Sequence, residues 1–209
     1  MTELRADGAD IGTRMLGVLG ILGGLALVIA FVPALPWTHE LFNLRLVLFN
    51  VGAIAVVIAV HRRQVSSHPR LSLATAVPVT LANAWYLVMI IASIGRSVFP
   101  EADPSFRQVF FYTAMALWLA DAAFGFAAWR IGAVTRWGAL ALGVGSLLAG
   151  SGIGGLWFTT GPLSALLGPA SLVGIGLVGI GWILLGADVA MGRRGVQPGP
   201  EAAGVPSAP

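Results

Sequence analysis

Cysteine is absent from this 209-residue chain, lysine is absent as well, and only 10% of the residues are charged. Without cysteine there is no disulfide framework, no thiolate metal site, no cysteine nucleophile and no covalently attached c-type haem. The scarcity of charge excludes a different class. Soluble domains carry roughly 25% charged residues, whereas this chain is 57% hydrophobic with a mean hydropathy of +0.87, more apolar surface than a soluble core can hide. Histidine is rare, and His39, His61 and His68 all lie outside the deep apolar runs, so a b-type haem held between membrane helices is not expected either. The regular alternation of a membrane β-barrel is also missing, since runs such as Val51 to Val60 (VGAIAVVIAV) are apolar on every face.

What the chain has instead is a succession of nearly uncharged windows, each long enough to cross a ~30 Å hydrocarbon layer as a helix rising ~1.5 Å per residue. Six spans are predicted: Met15 to Val32, Leu41 to Val60, Leu71 to Ile94, Val109 to Trp129, Trp137 to Phe158 and Leu163 to Ala187. The connectors carry breakers in the expected places, with Pro33 and Pro36, then SSHP at 66–69, PEADP at 100–104 and TTGP at 159–162. The fold class read from this pattern is all-α, a polytopic membrane bundle with one transmembrane domain over residues 15–191. Residues 1–14 form a polar lead. The Pro-, Gly- and Ala-rich stretch 192–209 has too little to bury and is expected to be a disordered tail.

All twelve basic residues are arginine, and they flank the apolar segments rather than forming one patch. The pI near 10.6 therefore reports topology, not nucleic-acid binding. With both termini inside, the inner segments hold Arg5, Arg14, Arg62, Arg63, Arg70, Arg130, Arg136, Arg193 and Arg194, against Arg45, Arg96 and Arg107 outside. The positive-inside rule selects this orientation, with cytoplasmic N- and C-termini. The first span has no A-x-A site after it and reads as a retained anchor. Arginine without lysine, alongside abundant Ala and Gly, suggests a bacterial source with a GC-rich genome, hence the inner membrane. Each helix pair begins just after an Arg and ends just before one; triplicated hairpins and simple positive-inside flanking both produce that pattern.

The 28 glycines concentrate in spans 1, 5 and 6. Gly20 and Gly24, then Ser146, Gly150 and Gly154, then Ala170 and Gly174 fall at small-xxx-small spacing, the mark of closely packed membrane helices. Such faces can also serve a second copy or another membrane protein. GSGIGG at 150–155 and GIGLVG at 174–179 match the dinucleotide fingerprint in form only, because no strand precedes them and no acid follows at the required distance. GSGIGG leaves two readings open, a thin helix for a close neighbour or an interrupted helix exposing backbone groups.

Asp121 is the acid nearest the middle of any span. Counting from the flanking arginines places it ~4 Å from the centre of span 4, level with Asn83 in span 3 and Asn50 in span 2. A helix-centre Asp costs ~2.5 to 3.5 kcal/mol on insertion scales, so it should face the bundle and find a partner or keep its proton. Asn50 and Asn83 are the natural partners, since an amide can donate to a carboxylate or accept from a carboxylic acid. Thr80, Tyr86 and Trp118 share faces with these residues and are candidate lining of a small cavity. Pro78 frees the carbonyl of Ala74 as a further acceptor. Trp85 and Trp118 are expected in the interior, and Trp37, Trp129, Trp137 and Trp157 in interface belts. Asp188, at the inner end of span 6, can reach water or a loop arginine, and the basic loop HRRQVSSHPR suits anionic headgroups.

No membrane-enzyme signature is present: there is no H-E-x-x-H, no second deep acid and no His near Asp121. Neither a metal nor a cofactor is expected. Two readings remain, a non-enzymatic structural or accessory membrane protein in contact with the lipid bilayer, and a small transporter or channel built on a protonatable Asp121. They differ in whether Asn50, Asn83 and Asp121 border a water-reachable cavity or are sealed by Trp118 and Tyr86.

Overall fold

The structure, a computed structural model, describes residues 3–31, 38–94, 104–132, 134–158 and 162–192. They form α1 (Glu3–Ala30), α2 (His39–Gln64), α3 (Pro69–Ile94), α4 (Pro104–Ile131), α5 (Arg136–Phe158) and α6 (Pro162–Ala190), with no strand among the described residues. All six are long and apolar enough to cross a membrane. A helix is what such runs must become away from water, because it satisfies every backbone N–H and C=O within the segment.

The ends follow local chemistry. Pro69, Pro104 and Pro162, read as connector breakers, are the first residues of α3, α4 and α6, where a missing N–H costs nothing. Thr38 caps α2, its Oγ1 accepting from the backbone N–H of Leu41 at 3.3 Å. α4 stops at Gly132, whose φ of 73° is open to glycine and whose N–H reaches the carbonyl of Ala128.

Three sequence expectations shift. The polar lead 1–14 does not end where the span begins, because α1 starts at Glu3 and runs through it. Helical hydrogen bonding does not stop at the edge of an apolar band, and α2 and α6 likewise run past Val60 and Ala187. The first span is predicted to Val32; α1 ends at Ala30, and Val32 itself lies outside the described residues. The stretch GSGIGG lies inside an unbroken α5, so the interrupted-helix reading falls. The 193–209 part of the expected tail, the connector prolines 33 and 36, Arg96, and the PEADP and TTGP turns up to Pro104 and Pro162 lie outside the described residues.

Each helix packs on its neighbours in chain order, and α6 returns to α1, which closes a ring; α2 and α6 also touch across it. Glycine makes the closest approaches. A Cβ added at Gly24 would meet the Gly179 carbonyl oxygen at 2.6 Å, and one at Gly186 would meet that of Gly17 at 2.7 Å. On the other side of α6, a Cβ at Gly174 would strike the backbone of Gly145 and Ala149. The expected packing of spans 1, 5 and 6 thus takes the form of α6 between α1 and α5. Gly20 abuts Val56 of α2, Gly150 abuts Trp118 of α4, and Gly154 faces Met115. Not anticipated were Gly23 against Gly52, which brings α1 onto α2, and Gly125 against Gly143, which does the same for α4 and α5.

Gly174→Leu is therefore expected to lower the detergent-solubilised protein's thermal stability by at least the ~1–3 kcal/mol of core overpacking, or to block assembly. Gly176→Leu, on the same helix with nothing within 4 Å of an added Cβ, should melt with the parent; equal melting of both variants would contradict the packing described.

Candidate functional site

Asn50, Asn83 and Asp121 are each 0% exposed. The hydrogen bond between a ring nitrogen of His61 (Nδ1) and Ser72 Oγ, 2.7 Å long, fixes the register of the antiparallel α2 and α3. Eleven residues back along α2 from His61 stands Asn50, and eleven forward along α3 from Ser72 stands Asn83. Eleven residues are about three turns, so both amides fall at one depth and on the faces the bond defines, as the sequence count anticipates.

Of the three, Asn83 and Asp121 are joined. The amide Nδ2 of Asn83 donates to Asp121 Oδ1 at 3.4 Å and to the carbonyl of Val79, one turn back on its own helix, at 2.8 Å. Asn50 makes the same backward bond, Nδ2 to the Leu46 carbonyl at 2.6 Å, and no hydrogen bond joins it to either of the others. Asn50 Oδ1, Asn83 Oδ1, Asp121 Oδ2 and the hydroxyl of Ser146 are buried with no hydrogen-bond partner among the described residues. Ser146, assigned to a packing stripe from its spacing, is as fully buried as the others.

A further member comes from α6. The indole of Trp182, 0% exposed, lies next to the Asp121 carboxyl, although its Nε1 falls outside hydrogen-bond geometry. Its ring stacks on Phe124 with centroids 6.0 Å apart. Trp182 escaped the sequence reading because α6 was weighed for its glycines. The available signal was an indole five residues inside the predicted end of the span at Ala187, deeper than Trp129 and Trp137, which stand at the very ends of theirs.

The candidate lining residues do not surround this group. Tyr86 and Trp118 line a cavity of about 260 Å³ together with Phe31, Phe42, Phe110 and Phe111, whereas Thr80 lines a groove of about 310 Å³ between α2 and α3. Neither hollow is lined by Asn50, Asn83, Asp121 or Trp182. Trp118 is buried as expected, but Trp85 is 54% exposed and donates through Nε1 to Thr113 Oγ1 at 3.2 Å, so it binds the outside of α4 rather than filling the interior.

A second polar knot ties one end of the bundle. Asp188, at the end of α6, accepts from the backbone N–H of Thr135 at the start of α5 through Oδ2, 3.2 Å, and the same oxygen lies 4.0 Å from Arg63. Arg63 also donates to the carbonyl of Val189 at 3.0 Å. The expected contact of Asp188 with a loop arginine is thus made by α2. Among the described residues no three His, Asp or Glu side chains gather as a metal site.

These ties explain how α3 is held. It contains no glycine, and it is instead bonded through side chains: Ser72 to α2, Asn83 to α4, and Trp85 to α4. The class the fold defines is a ring of six helices, each able to span a membrane. No protein-family model, curated protein or solved structure matches the chain.

In a double-mutant cycle, Asn83→Leu and Asp121→Leu should each destabilise the bundle by roughly 1–3 kcal/mol, because each strands a buried polar partner. The double variant should cost clearly less than the sum of the two, read from thermal melts in detergent; strict additivity would show that the pair is not coupled.

Proposed function

We propose that this chain is a non-enzymatic, structural or accessory multi-pass protein of a bacterial cytoplasmic membrane, with both termini inside. In this reading Asn83 and Asp121 form a clasp that fixes α3 against α4. The observation that carries it is the complete burial of both residues away from either hollow, with Trp182 beside the carboxyl. A transport site has to open to water on one side at a time, whereas a clasp only has to hold. The absence of glycine from α3 supports the same view, since glycine makes the closest backbone approaches at the other seams and α3 has none. Interhelical hydrogen bonds average only ~0.6 kcal/mol in one measured membrane protein, so the clasp serves helix order more than stability. The placement of nine arginines on the inner side against three outside supports the orientation.

The alternative, a small transporter or channel with Asp121 as its protonatable group, draws on one specific observation: Asp121 Oδ2, Asn83 Oδ1 and Asn50 Oδ1 are buried without partners. Such atoms at midplane depth are what a proton or small ion would engage.

The deciding variant is Asp121→Asn in reconstituted vesicles. A clasp keeps an amide in place of the carboxyl, so the melting temperature should change little and proton or solute flux should equal that of protein-free vesicles before and after. Unchanged assembly with pH-dependent flux present in the parent and lost in the variant would overturn the clasp.

A further inference from the structure

The groove between α2 and α3 differs in kind from the buried layer, because it opens sideways on the outer surface of the ring. Its walls are Val57 and Ile58 on α2, and Leu73, Ala76, Val77, Thr80 and Leu81 on α3. On α3 these recur at three- and four-residue steps, one continuous helix face. The small side chain of Ala76 makes the hollow between Leu73 and Thr80. Leu73, Val77 and Leu81 are all exposed, so a ligand in the groove would lie against apolar surface that the other described residues leave open. From Leu73 to Leu81 the trough runs ~12 Å at ~1.5 Å per residue, most of one leaflet of a ~30 Å core.

One end is chemically different. His61 and Arg62 line the trough where α2 meets the short turn to α3. The two adjacent arginines have divided tasks. Arg63 points into the bundle and is spent on Asp188 and the α6 carbonyls. Arg62 is exposed, and its guanidinium makes no hydrogen bond or ion pair with another described residue. The Nδ1 of His61 is engaged by Ser72, a buried hydroxyl, which orients the ring and leaves Nε2 as its other polar atom.

We propose that this groove binds an anionic glycerophospholipid, with one acyl chain along the Leu73–Leu81 face and the phosphate held by Arg62 beside His61. An apolar trough open to the side and ending in an unpaired guanidinium complements a molecule with an alkyl chain on one side of a phosphodiester. A guanidinium meets phosphate oxygens in a two-pronged hydrogen bond that water-exposed surface charge alone does not supply. The site is independent of the Asp121 group and needs only the membrane placement given above.

The test reconstitutes the full chain in phosphatidylcholine vesicles containing a minor fraction of phosphatidylglycerol that carries a photoactivatable diazirine on one acyl chain. Crosslinked peptides are then mapped. Labelling is expected on α2 and α3 around Ile58 and Val77, to fall several-fold in Arg62→Gln and in Val77→Trp, which fills the trough from its exposed side, and to stay at the parent level in Arg70→Gln. Arg70, in the first turn of α3, is an exposed arginine at the same end of the helix pair that does not line the groove. Equal losses from Arg62→Gln and Arg70→Gln would mean diffuse attraction to a charged surface and overturn the site. So would equal labelling by a phosphatidylcholine probe of the same chain. Flotation of each variant with the vesicles is scored separately: a parent that does not float removes the membrane placement and the lipid site together, whereas one that floats and labels without selectivity removes the site alone.

Discussion

The backbone-to-backbone contact of α6 with α1 and α5 is the constraint from which the rest of the bundle follows. Lipid tails are as apolar as leucine, so burying hydrocarbon gives helices no reason to prefer one another, and attraction depends on how closely their backbones come. Gly24 with Gly179, Gly17 with Gly186, and Gly145 with Gly174 allow that approach on both sides of one helix. Once α6 is fixed between its neighbours, Gly23 with Gly52 seats α2 on α1, and Gly125 with Gly143 seats α4 on α5. Five helices are then positioned by the absence of side chains.

α3 is the exception, and its exception places the polar groups. With no glycine to bring it close, it is joined by Ser72, Asn83 and Trp85 at successive depths. A carboxyl in this position is costly unless it is met by donors, and Asn83 meets it while also satisfying its own helix at Val79. The same economy appears at the α6 end, where Asp188 gives an oxygen to the first free N–H before α5 and leans on Arg63. On α3 polar side chains therefore do what glycine does at the other seams, while the Asp188 knot adds to a seam that glycine already closes.

The two hollows lie in different parts of the bundle. Tyr86 and Trp118 face an aromatic cavity inside the ring that α2, α4, α5 and α6 also line, whereas Thr80 faces the α2–α3 groove. That is why residues sharing a helical face with Asn83 or Asp121 need not share its surroundings. Side chains one turn apart point the same way, but a neighbouring helix that leans toward one and away from the other seals the first and leaves the second open.

Six apolar runs determined six helices, because a chain segment of that length without polar side chains can satisfy its backbone only within itself. The flanking arginines and the spacing of Asn50, Asn83 and Asp121 determined their common depth, since rise per residue is a constant of the helix. Rotation about each helix axis and the partner across each seam were decided only in three dimensions. The approach of Trp182 to Asp121, the separation of Asn50 from the Asn83–Asp121 pair, and the outward turn of Trp85 all depend on which faces interlock. Those faces are selected by glycine contacts between residues as distant in the chain as 17 and 186. A near-uniform apolar sequence carries little record of them, because leucine facing lipid and leucine facing a helix look the same.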